Sequence, residues 1–357
     1  MTSPTHRVRI TALAMSLAAG GALASTGTAG AAAVSAATAG TGSAAVSAPI
    51  APGLYQSAYS ERNDALWVAS SEGRPPAAVT ASRLLKVDPD TLRVEKTYAP
   101  VTNAATGAVQ SVYGVAVDDE HNTVWTTNTR DNSVSVYSQR TGEHLATLPG
   151  VNHSREVVVD ERRDTVWASA FGDGTLVAFD SGTFKEKERV TVPGSGPTGL
   201  AVNERTGSVY AADHTGDRII EASPGAGKPR LIPAGDGPLS VALSKNGRTA
   251  YTGDQTAGTV SVVDLRKGAV TRSVASGSGT KSVAVDYRSG RVVAVNRLSA
   301  TVTVVDPRKG SVVKTVATAA LPNHVHVADG TAYVVDKSAS GPAGEDLLTR
   351  FRVQADG

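Results

Sequence analysis

A short segment recurs seven times along the 357-residue chain, and each copy carries one aromatic or large apolar anchor. Successive anchors lie 58, 42, 43, 41, 42 and 40 residues apart, at Trp67, Trp125, Trp167, Tyr210, Tyr251, Val293 and Tyr333. A period of about 40 residues is typical of propeller blades and of solenoid units. The spacing therefore restricts the chain to a repeat architecture.

Each repeat contains four strand-like segments. Before the anchor, an apolar run rich in valine predicts a buried strand, as in residues 199–202 and 282–285. After the anchor, an alternating segment such as residues 259–263 predicts a strand with one face on a core. A weaker strand, for example residues 144–148, closes the unit. Because no helical period occurs, the pattern predicts an all-β fold, a seven-bladed β-propeller of four-stranded antiparallel blades.

The anchor segments resemble the repeat of a known family. Residues 124–128 (VWTTN), 209–213 (VYAAD) and 332–336 (AYVVD) look like the repeat of YVTN, or YncE-like, β-propellers. The resemblance covers roughly residues 53–353 and implies the propeller fold. The residues shared with the family build blades, so the resemblance implies no particular activity.

The first 31 residues predict an export signal. Arg7 and Arg9 precede an apolar, Ala-rich stretch, and residues 29–31 (AGA) form a small-x-small cleavage pattern. The apolar stretch is short and rich in Ala and Gly, so no membrane span is expected after the signal is removed. The protein is predicted to be secreted, extracellular or associated with the cell envelope. Residues 32–43 are predicted to be a disordered lead-in, and residues 44–357 the propeller.

Charge and cysteine content exclude several functions. The chain has 35 Lys and Arg against 33 Asp and Glu, and two of the arginines lie in the signal. A nearly neutral mature chain lacks the charge that dominates nucleic-acid affinity, so no nucleic acid is expected as a partner. No cysteine occurs in the sequence, which excludes disulfides and thiol chemistry. A monomer is expected, and its partner is predicted to be a protein, a peptide, a cell-wall glycan or a small molecule.

The last repeat lacks a fourth strand, because the sequence ends soon after its third strand at residues 347–353. In the second repeat, six residues separate the fourth strand's end at Gly150 from the next start at Glu156. The same offset before Gln56 reaches Ile50. Residues 44–50 are therefore predicted to supply the missing outer strand and to close the ring by pairing with the C-terminal blade.

The loops that lead into the innermost strands share one face of a propeller, here called the entrance face. Function usually lies on such loops. The residue at the start of each innermost strand is expected to reach the mouth of the central channel. The large or polar residues of this set, together with Arg74 on a long loop of blade one, are the predicted ligand-binding residues: Tyr55, Arg74, Tyr113, Arg155, Lys281 and Asn323.

Blades three and seven depart from the small residues that the other repeats place at the channel. The departures supply the candidates for catalysis, which are His153, Glu156, His324 and His326. A histidine can titrate near neutral pH, bind a metal or simply hydrogen-bond. The alternative is that the two later histidines are channel residues satisfied by hydrogen bonds, and that His153 and Glu156 are solvent-facing loop residues. His324 is expected to point to the opposite side of its strand from His326.

Two loops are longer than the repeat standard by 8 residues each, within residues 70–81 of blade one and 338–346 of blade seven. Ring closure makes these blades neighbours, so both loops are predicted to stand side by side on the entrance face. A functional interpretation is a groove lined by Glu72, Arg74, Glu345 and Asp346, with Tyr55 and His324 at its floor. The alternative is the irregularity common to closure blades.

No catalytic signature such as Gly-x-Ser-x-Gly, His-Glu-x-x-His or a phosphate loop occurs in the sequence. The favoured hypothesis is an exported, non-catalytic binding or scaffold module that acts through its entrance face without a cofactor. The alternative is a metal-assisted lyase or hydrolase of the streptogramin-lyase or gluconolactonase-like propeller type, with a divalent metal. Glu156 alone supplies an acidic residue at the mouth, so no metal ligands are assigned.

Overall fold

A computed structural model describes residues 45–354 of the chain, apart from residues 74–76 and 104–105. The predicted export signal, the lead-in at residues 32–43 and Arg74 lie outside the described residues. The described part of the chain forms seven antiparallel sheets of four strands each. This arrangement confirms the predicted seven-bladed β-propeller. No helix in the described ranges is long and apolar enough to span a membrane.

Each blade runs from its innermost to its outermost strand in chain order, except that blade seven takes its outermost strand, β1, from the start of the described chain. The bounds are β1 (Val46–Ala51); for blade one β2 (Leu54–Ser60), β3 (Ala65–Glu72), β4 (Ala81–Val87) and β5 (Val94–Tyr98); for blade two β6 (Val112–Asp118), β7 (Thr123–Asn128), β8 (Ser133–Ser138) and β9 (His144–Pro149); for blade three β10 (Ser154–Asp160), β11 (Thr165–Ala170), β12 (Thr175–Asp180) and β13 (Glu186–Thr191); for blade four β14 (Pro197–Asn203), β15 (Ser208–Asp213), β16 (Arg218–Ala222) and β17 (Arg230–Pro233); for blade five β18 (Pro238–Leu243), β19 (Thr249–Asp254), β20 (Thr259–Asp264) and β21 (Ala269–Ala275); for blade six β22 (Thr280–Asp286), β23 (Arg291–Asn296), β24 (Thr301–Asp306) and β25 (Ser311–Ala317); and for blade seven β26 (His324–Ala328), β27 (Thr331–Val335) and β28 (Asp346–Arg352). One turn of 3-10 helix at Glu161–Arg163 lies in the hairpin after β10. The sequence pattern did not predict this short turn.

The hydrophobic core lies between the blades. All seven anchors are buried, with exposed fractions between 0% and 7%. Each anchor packs in a cluster that combines its own blade with the next one, as Trp125 does with Val157 and Tyr333 does with Leu54. The repeat period is therefore the spacing of these inter-blade contacts, which explains why one large residue per repeat recurs.

The ring closes through the N-terminal strand. β1 pairs antiparallel with β28, with Val46 opposite Arg350 and Ser47 opposite Thr349. The hydroxyl groups of Ser47 and Thr349 lie 2.7 Å apart and share a hydrogen bond. The pairing confirms the predicted closure, although the strand spans Val46–Ala51 where residues 44–50 were expected.

A buried carboxylate fastens blade seven to blade one. Asp346, which is 4% exposed, accepts backbone N–H groups from Gly53 at 2.7 Å, Leu54 at 2.9 Å and Ala339 at 2.9 Å. Hydrogen bonds to a charged acceptor are stronger than those between neutral groups. Asp346 therefore serves ring closure, a role that the sequence did not predict for it.

Asn and Asp residues that end anchor segments bond to neighbouring backbone groups in several blades. Asp213 accepts the N–H of Gly196 at 2.7 Å, and Asn296 donates to the carbonyl of Ser276 at 3.1 Å. Asp336 accepts the N–H of Leu347 at 2.9 Å. In blades four and six these bonds tie the anchor strand to the loop that leads into the innermost strand, so there the repeat that builds the blade also fixes the rim of the channel.

Candidate functional site

Two connected cavities lie at the entrance end of the channel. The outer one, the mouth cavity, has a volume of ≈ 850 Å³ and is lined by blades one, two, three, six and seven. The inner one, the channel cavity, has a volume of ≈ 30 Å³ and is lined by all seven blades. The two share Tyr113, Arg155, Lys281 and Asn323, and the channel cavity reaches one residue further along the innermost strands.

The structure brings most of the sequence-predicted ligand-binding residues together. The residues that line the mouth cavity include Tyr55, Tyr113, Arg155, Lys281 and Asn323, together with His153. Equivalent positions of successive repeats stand at the same height in the ring, so the starts of the innermost strands converge. Arg74 lies outside the described residues.

Positive charge dominates the mouth cavity. Its cationic side chains are Arg130, Arg155, Lys281, Arg297 and Lys337, and its carboxylates are Glu72 and Asp346. Glu72 forms an ion pair with Arg83 at 2.6 Å, and the oxygens of Asp346 accept backbone N–H groups. Glu72 is therefore paired with a cation outside this set, and among the described residues neither carboxylate forms an ion pair with Arg155, Lys281 or Lys337.

Three of the five cations escaped prediction from the sequence. Arg297 and Lys337 stand four residues after the anchors Val293 and Tyr333, and Arg130 stands five residues after Trp125. These positions lie on the loops between the second and third strands, which share the entrance face with the starts of the innermost strands. Alignment of the residues after each anchor was the signal that could have found them.

Aromatic rings hold two of the cations in place. The rings of Tyr55 and Tyr113 lie 4.6 Å apart between centroids. The Lys337 ammonium sits 3.6 Å from the centroid of Tyr55, and the Arg155 guanidinium sits 4.8 Å from that of Tyr113. A cation over a ring face is attracted to it without losing its charge. The two cations are thus oriented on an aromatic wall.

Burial and neighbouring like charges lower the pKa values of two lysines of the mouth. Burial, with the charges of Arg297 and Lys281, lowers the pKa of Lys337 to about 8 despite the opposing effect of Asp346. Although the Tyr113 phenol favours the charged form of Lys281, burial and the charge of Arg155 leave the pKa of Lys281 below its usual range. A negative charge placed between these groups would relieve their mutual repulsion.

A carboxylic acid and an amide bridge the channel cavity. Gln56 of blade one donates its amide N–H to Glu156 Oε2 of blade three at 2.6 Å, and its amide oxygen accepts the N–H of Val115 at 3.3 Å. Burial raises the pKa of the Glu156 carboxyl to about 7, although the Gln56 hydrogen bond and the charges of Arg155 and Lys281 oppose it. Glu156 is therefore poised between its neutral and charged forms near neutral pH.

The two histidines of blade seven are neutral channel residues. His324 Nδ1 accepts the backbone N–H of Ser57 at 3.3 Å, and His324 lines the channel cavity. Burial lowers the pKa of His324 to about 3 and that of His326 to about 4. The expectation that they point to opposite sides is wrong, because alternate residues of a strand share a face and His326 contributes to the lowered pKa of His324.

The four catalytic candidates do not form one constellation. Among the described residues, no hydrogen bond joins His324 or His326 to Glu156 or His153, whose ring packs edge-on against Phe171 at 5.3 Å. Within the same residues, no group of three or more His, Cys, Asp or Glu side chains could hold a metal ion.

The groove predicted between the long loops exists only in part. Glu72, Asp346 and Tyr55 border the mouth cavity, but His324 lies deeper, in the channel cavity. Glu345 turns back on its own loop, where it accepts the N–H of Ala343 at 2.9 Å. Arg130 of blade two fastens the long loop of blade one, because it donates hydrogen bonds to the carbonyls of Gly73 and Ala77.

A second large cavity, of ≈ 870 Å³, lies on the opposite face, among the hairpins of blades three to six. It includes Arg162, Arg205 and Tyr287. The Arg162 side chain is 69% exposed, and its contact with Glu204 is 3.9 Å long. The cations of this face are solvated hairpin residues, unlike those of the mouth cavity.

Fold and site together define a closed, seven-bladed β-propeller with a cationic channel mouth. No protein-family model matches the chain. The chain is similar to the uncharacterized protein YncE of Escherichia coli strain K12, with 28% identity over 242 residues, 63% of this chain and 66% of the relative. YncE of Salmonella typhi is 27% identical over the same length. The chain thus spans just under two thirds of these relatives.

Among solved structures, the crystal structure of virginiamycin B lyase from Staphylococcus aureus is similar with a TM-score of 0.68. The match covers 87% of this chain and 99% of the lyase, at 9% sequence identity. At that identity the likeness concerns the fold alone. Taken together, the comparisons show a β-propeller whose sequence is similar to that of YncE.

Proposed function

We propose that the protein is an exported binding module that takes up a small-molecule ligand at its entrance face. One observation carries the proposal: side chains from five blades converge on a single cavity of ≈ 850 Å³. Ligand sites in proteins commonly have volumes of about 300 to 1,000 Å³, with a few polar groups fixed on a rigid scaffold. The mouth cavity has this size, and three of its polar residues, Tyr55, Arg155 and Lys281, lie on hydrogen-bonded innermost strands.

Binding is favoured over the lyase or hydrolase alternative by the partners of the candidate acid and base groups. Glu156 is hydrogen-bonded to Gln56, and His324 to the backbone of Ser57. A general acid or base must reach the proton that it transfers, and it works best with a pKa near the operating pH. The low pKa of His324, about 3, does not suit that role. The similarity to a lyase rests on the fold, which hosts many functions.

Export is proposed from the predicted signal at residues 1–31. The expected outcome is that the mature protein, purified from the secreted or envelope fraction, begins after residue 31. Mass spectrometry of the intact protein measures this directly. A chain that retains Arg7 and Arg9 in the cytoplasmic fraction would contradict export and would leave the binding proposal untouched.

A thermal-shift screen of metabolites, glycans and peptides tests the binding proposal, because a ligand that binds only the folded state raises the melting temperature. The informative variant is Leu239→Trp. Leu239 lines the channel cavity at the base of the mouth, and the larger tryptophan side chain is expected to obstruct it. The matched control is Tyr287→Trp, which adds the same side chain to the cavity of the opposite face.

We expect at least one ligand to stabilise the wild type and Tyr287→Trp but not Leu239→Trp. Ligands whose effect is lost in Tyr287→Trp and kept in Leu239→Trp would place the binding site on the opposite face and contradict the proposal.

A further inference from the structure

We propose that the mouth cavity binds a small organic anion, a carboxylate or a phosphate ester, through Arg155, Lys281 and Lys337. The inference rests on the proposed function and extends it by naming the chemical class of the ligand.

These three cations lack anionic partners. Among the described residues, no carboxylate lies within ion-pair distance of Arg155, Lys281 or Lys337, and none of their side chains donates a hydrogen bond to another residue. Charged side chains that are taken partly out of water are usually paired. Three cations thus line one cavity without an ion-pair partner among the described residues, and an anion from outside the chain would supply one.

The other two cations of the mouth are engaged but add to the same field. Arg130 donates to the carbonyl of Ala77 at 2.6 Å, and Arg297 donates to Asn323 Oδ1 at 2.8 Å. Carbonyl and amide oxygens satisfy their N–H groups without cancelling their charge. The potential in the cavity thus exceeds what the three unpaired cations produce alone.

The acidic group of the channel cavity is partly neutral and so adds little negative charge. Glu156 shares the channel cavity with Arg155 and Lys281. Because burial raises its pKa to about 7, a large fraction of the Glu156 carboxyl is neutral at neutral pH. Gln56 donates to its Oε2 at 2.6 Å, and among the described residues Glu156 forms no ion pair with Arg155, Lys281 or Lys337.

The shape of the site favours a compact anion over a polyanionic chain. The cations surround one cavity, whose floor narrows to the ≈ 30 Å³ channel cavity and whose wall is formed by Tyr55 and Tyr113. Binding of a nucleic-acid strand uses cations that follow the backbone along a groove. Cations that converge on one cavity suit a small organic molecule that carries one or two negative groups.

Isothermal titration calorimetry of the mature protein tests this inference with two probes. Citrate represents the carboxylates, glucose 6-phosphate represents the phosphate esters, and glucose is the neutral counterpart. We expect at least one anion to bind at low ionic strength and glucose not to bind. Charge-assisted hydrogen bonds predict that Lys281→Met and Arg155→Gln each weaken binding by about tenfold or more. Lys309→Glu, a charge reversal on an exposed turn, is expected to leave binding unchanged.

If Lys281→Met lowers the melting temperature too far for titration, Lys337→Gln at the rim replaces it with the same expectation. Binding of citrate alone assigns carboxylates, and binding of glucose 6-phosphate alone assigns phosphate esters. Failure of both anions to bind, or binding that none of the three substitutions weakens, would overturn the inference. A single-stranded oligonucleotide that binds while both small anions fail would also overturn it.

The outcomes separate this inference from the proposed function. A neutral ligand that stabilises the wild type but not Leu239→Trp, with no response to either anion, would refute the anion inference and support the mouth as a binding site. If no ligand of any class affects Leu239→Trp and Tyr287→Trp differently, the result counts against both the proposed function and the anion inference.

Discussion

Replacing Glu156 by glutamine should stabilise the folded protein at pH 8 and change its stability little at pH 4. Burial raises the pKa of the Glu156 carboxyl from 4.5 to about 7 in the folded protein. Because the folded pKa is the higher one, the contribution of this carboxyl is fully present below about pH 4.5 and is lost as the pH rises towards 7. Glutamine has the shape of the neutral acid and cannot ionise, so it does not incur this loss.

The size of the effect follows from the change in pKa. Each pKa unit corresponds to about 1.4 kcal/mol, so the shift of Glu156 predicts a difference of about 3 kcal/mol between pH 4 and pH 8. The charged neighbours Arg155 and Lys281, the phenol of Tyr113 and the neutral His324 surround the carboxyl in the channel cavity. They are the same in both proteins, so their own titration largely cancels in the comparison.

Urea denaturation of the wild type and Glu156→Gln at several pH values between 4 and 8 measures the difference in unfolding free energy. The difference should grow in favour of the variant between about pH 4.5 and pH 7 and then level off. Glu120→Gln, on an exposed hairpin, is the matched control and should change stability by less than about 0.5 kcal/mol. A Glu156→Gln difference that stays constant over this range would refute the argument from burial.

Three further predictions concern the fold. Trp125→Ala should lower the free energy of unfolding by about 3 to 5 kcal/mol, because the indole is 0% exposed in the cluster between blades two and three; a loss below about 1 kcal/mol would contradict the packing. A chain that starts at Gly53 should melt at a lower temperature than one that starts at Ala32, because it leaves the edge of β28 unpaired, and equal melting temperatures would refute closure by β1. Asp346→Asn should cost about 2 to 4 kcal/mol in urea denaturation, because three N–H groups lose a charged acceptor, and wild-type stability would show that these bonds contribute nothing.

The blade architecture could be predicted because the repeats report the packing between blades. A large anchor such as Trp167 or Tyr210 recurs wherever one blade must cover the next, so the period fixes the number of blades. The closure strand could be placed for a similar reason, since the last repeat of the sequence contains only three strand-like segments. These features depend on local pattern and spacing, which a single sequence contains.

The electrostatics of the site could not be predicted in the same way. The net charge of +2 averages over the whole chain and hides the convergence of five cations on one cavity. The bond between Gln56 and Glu156 joins residues 100 positions apart in different blades, and no pattern within a repeat indicates it. The pKa of Glu156 is raised by its burial in the channel cavity, and that burial exists only once the ring has folded.

Hydrogen exchange with and without a ligand that stabilises the protein tests most directly the central claim, that the ligand binds at the entrance face. Binding should slow the exchange of amides in residues 111–115, 153–157 and 321–325, which approach or form the walls of the mouth and channel cavities. The hairpins at residues 203–207 and 244–248, which line the cavity of the opposite face, should exchange at the same rate with and without ligand. Protection confined to those hairpins, with the entrance segments unchanged, would contradict the account.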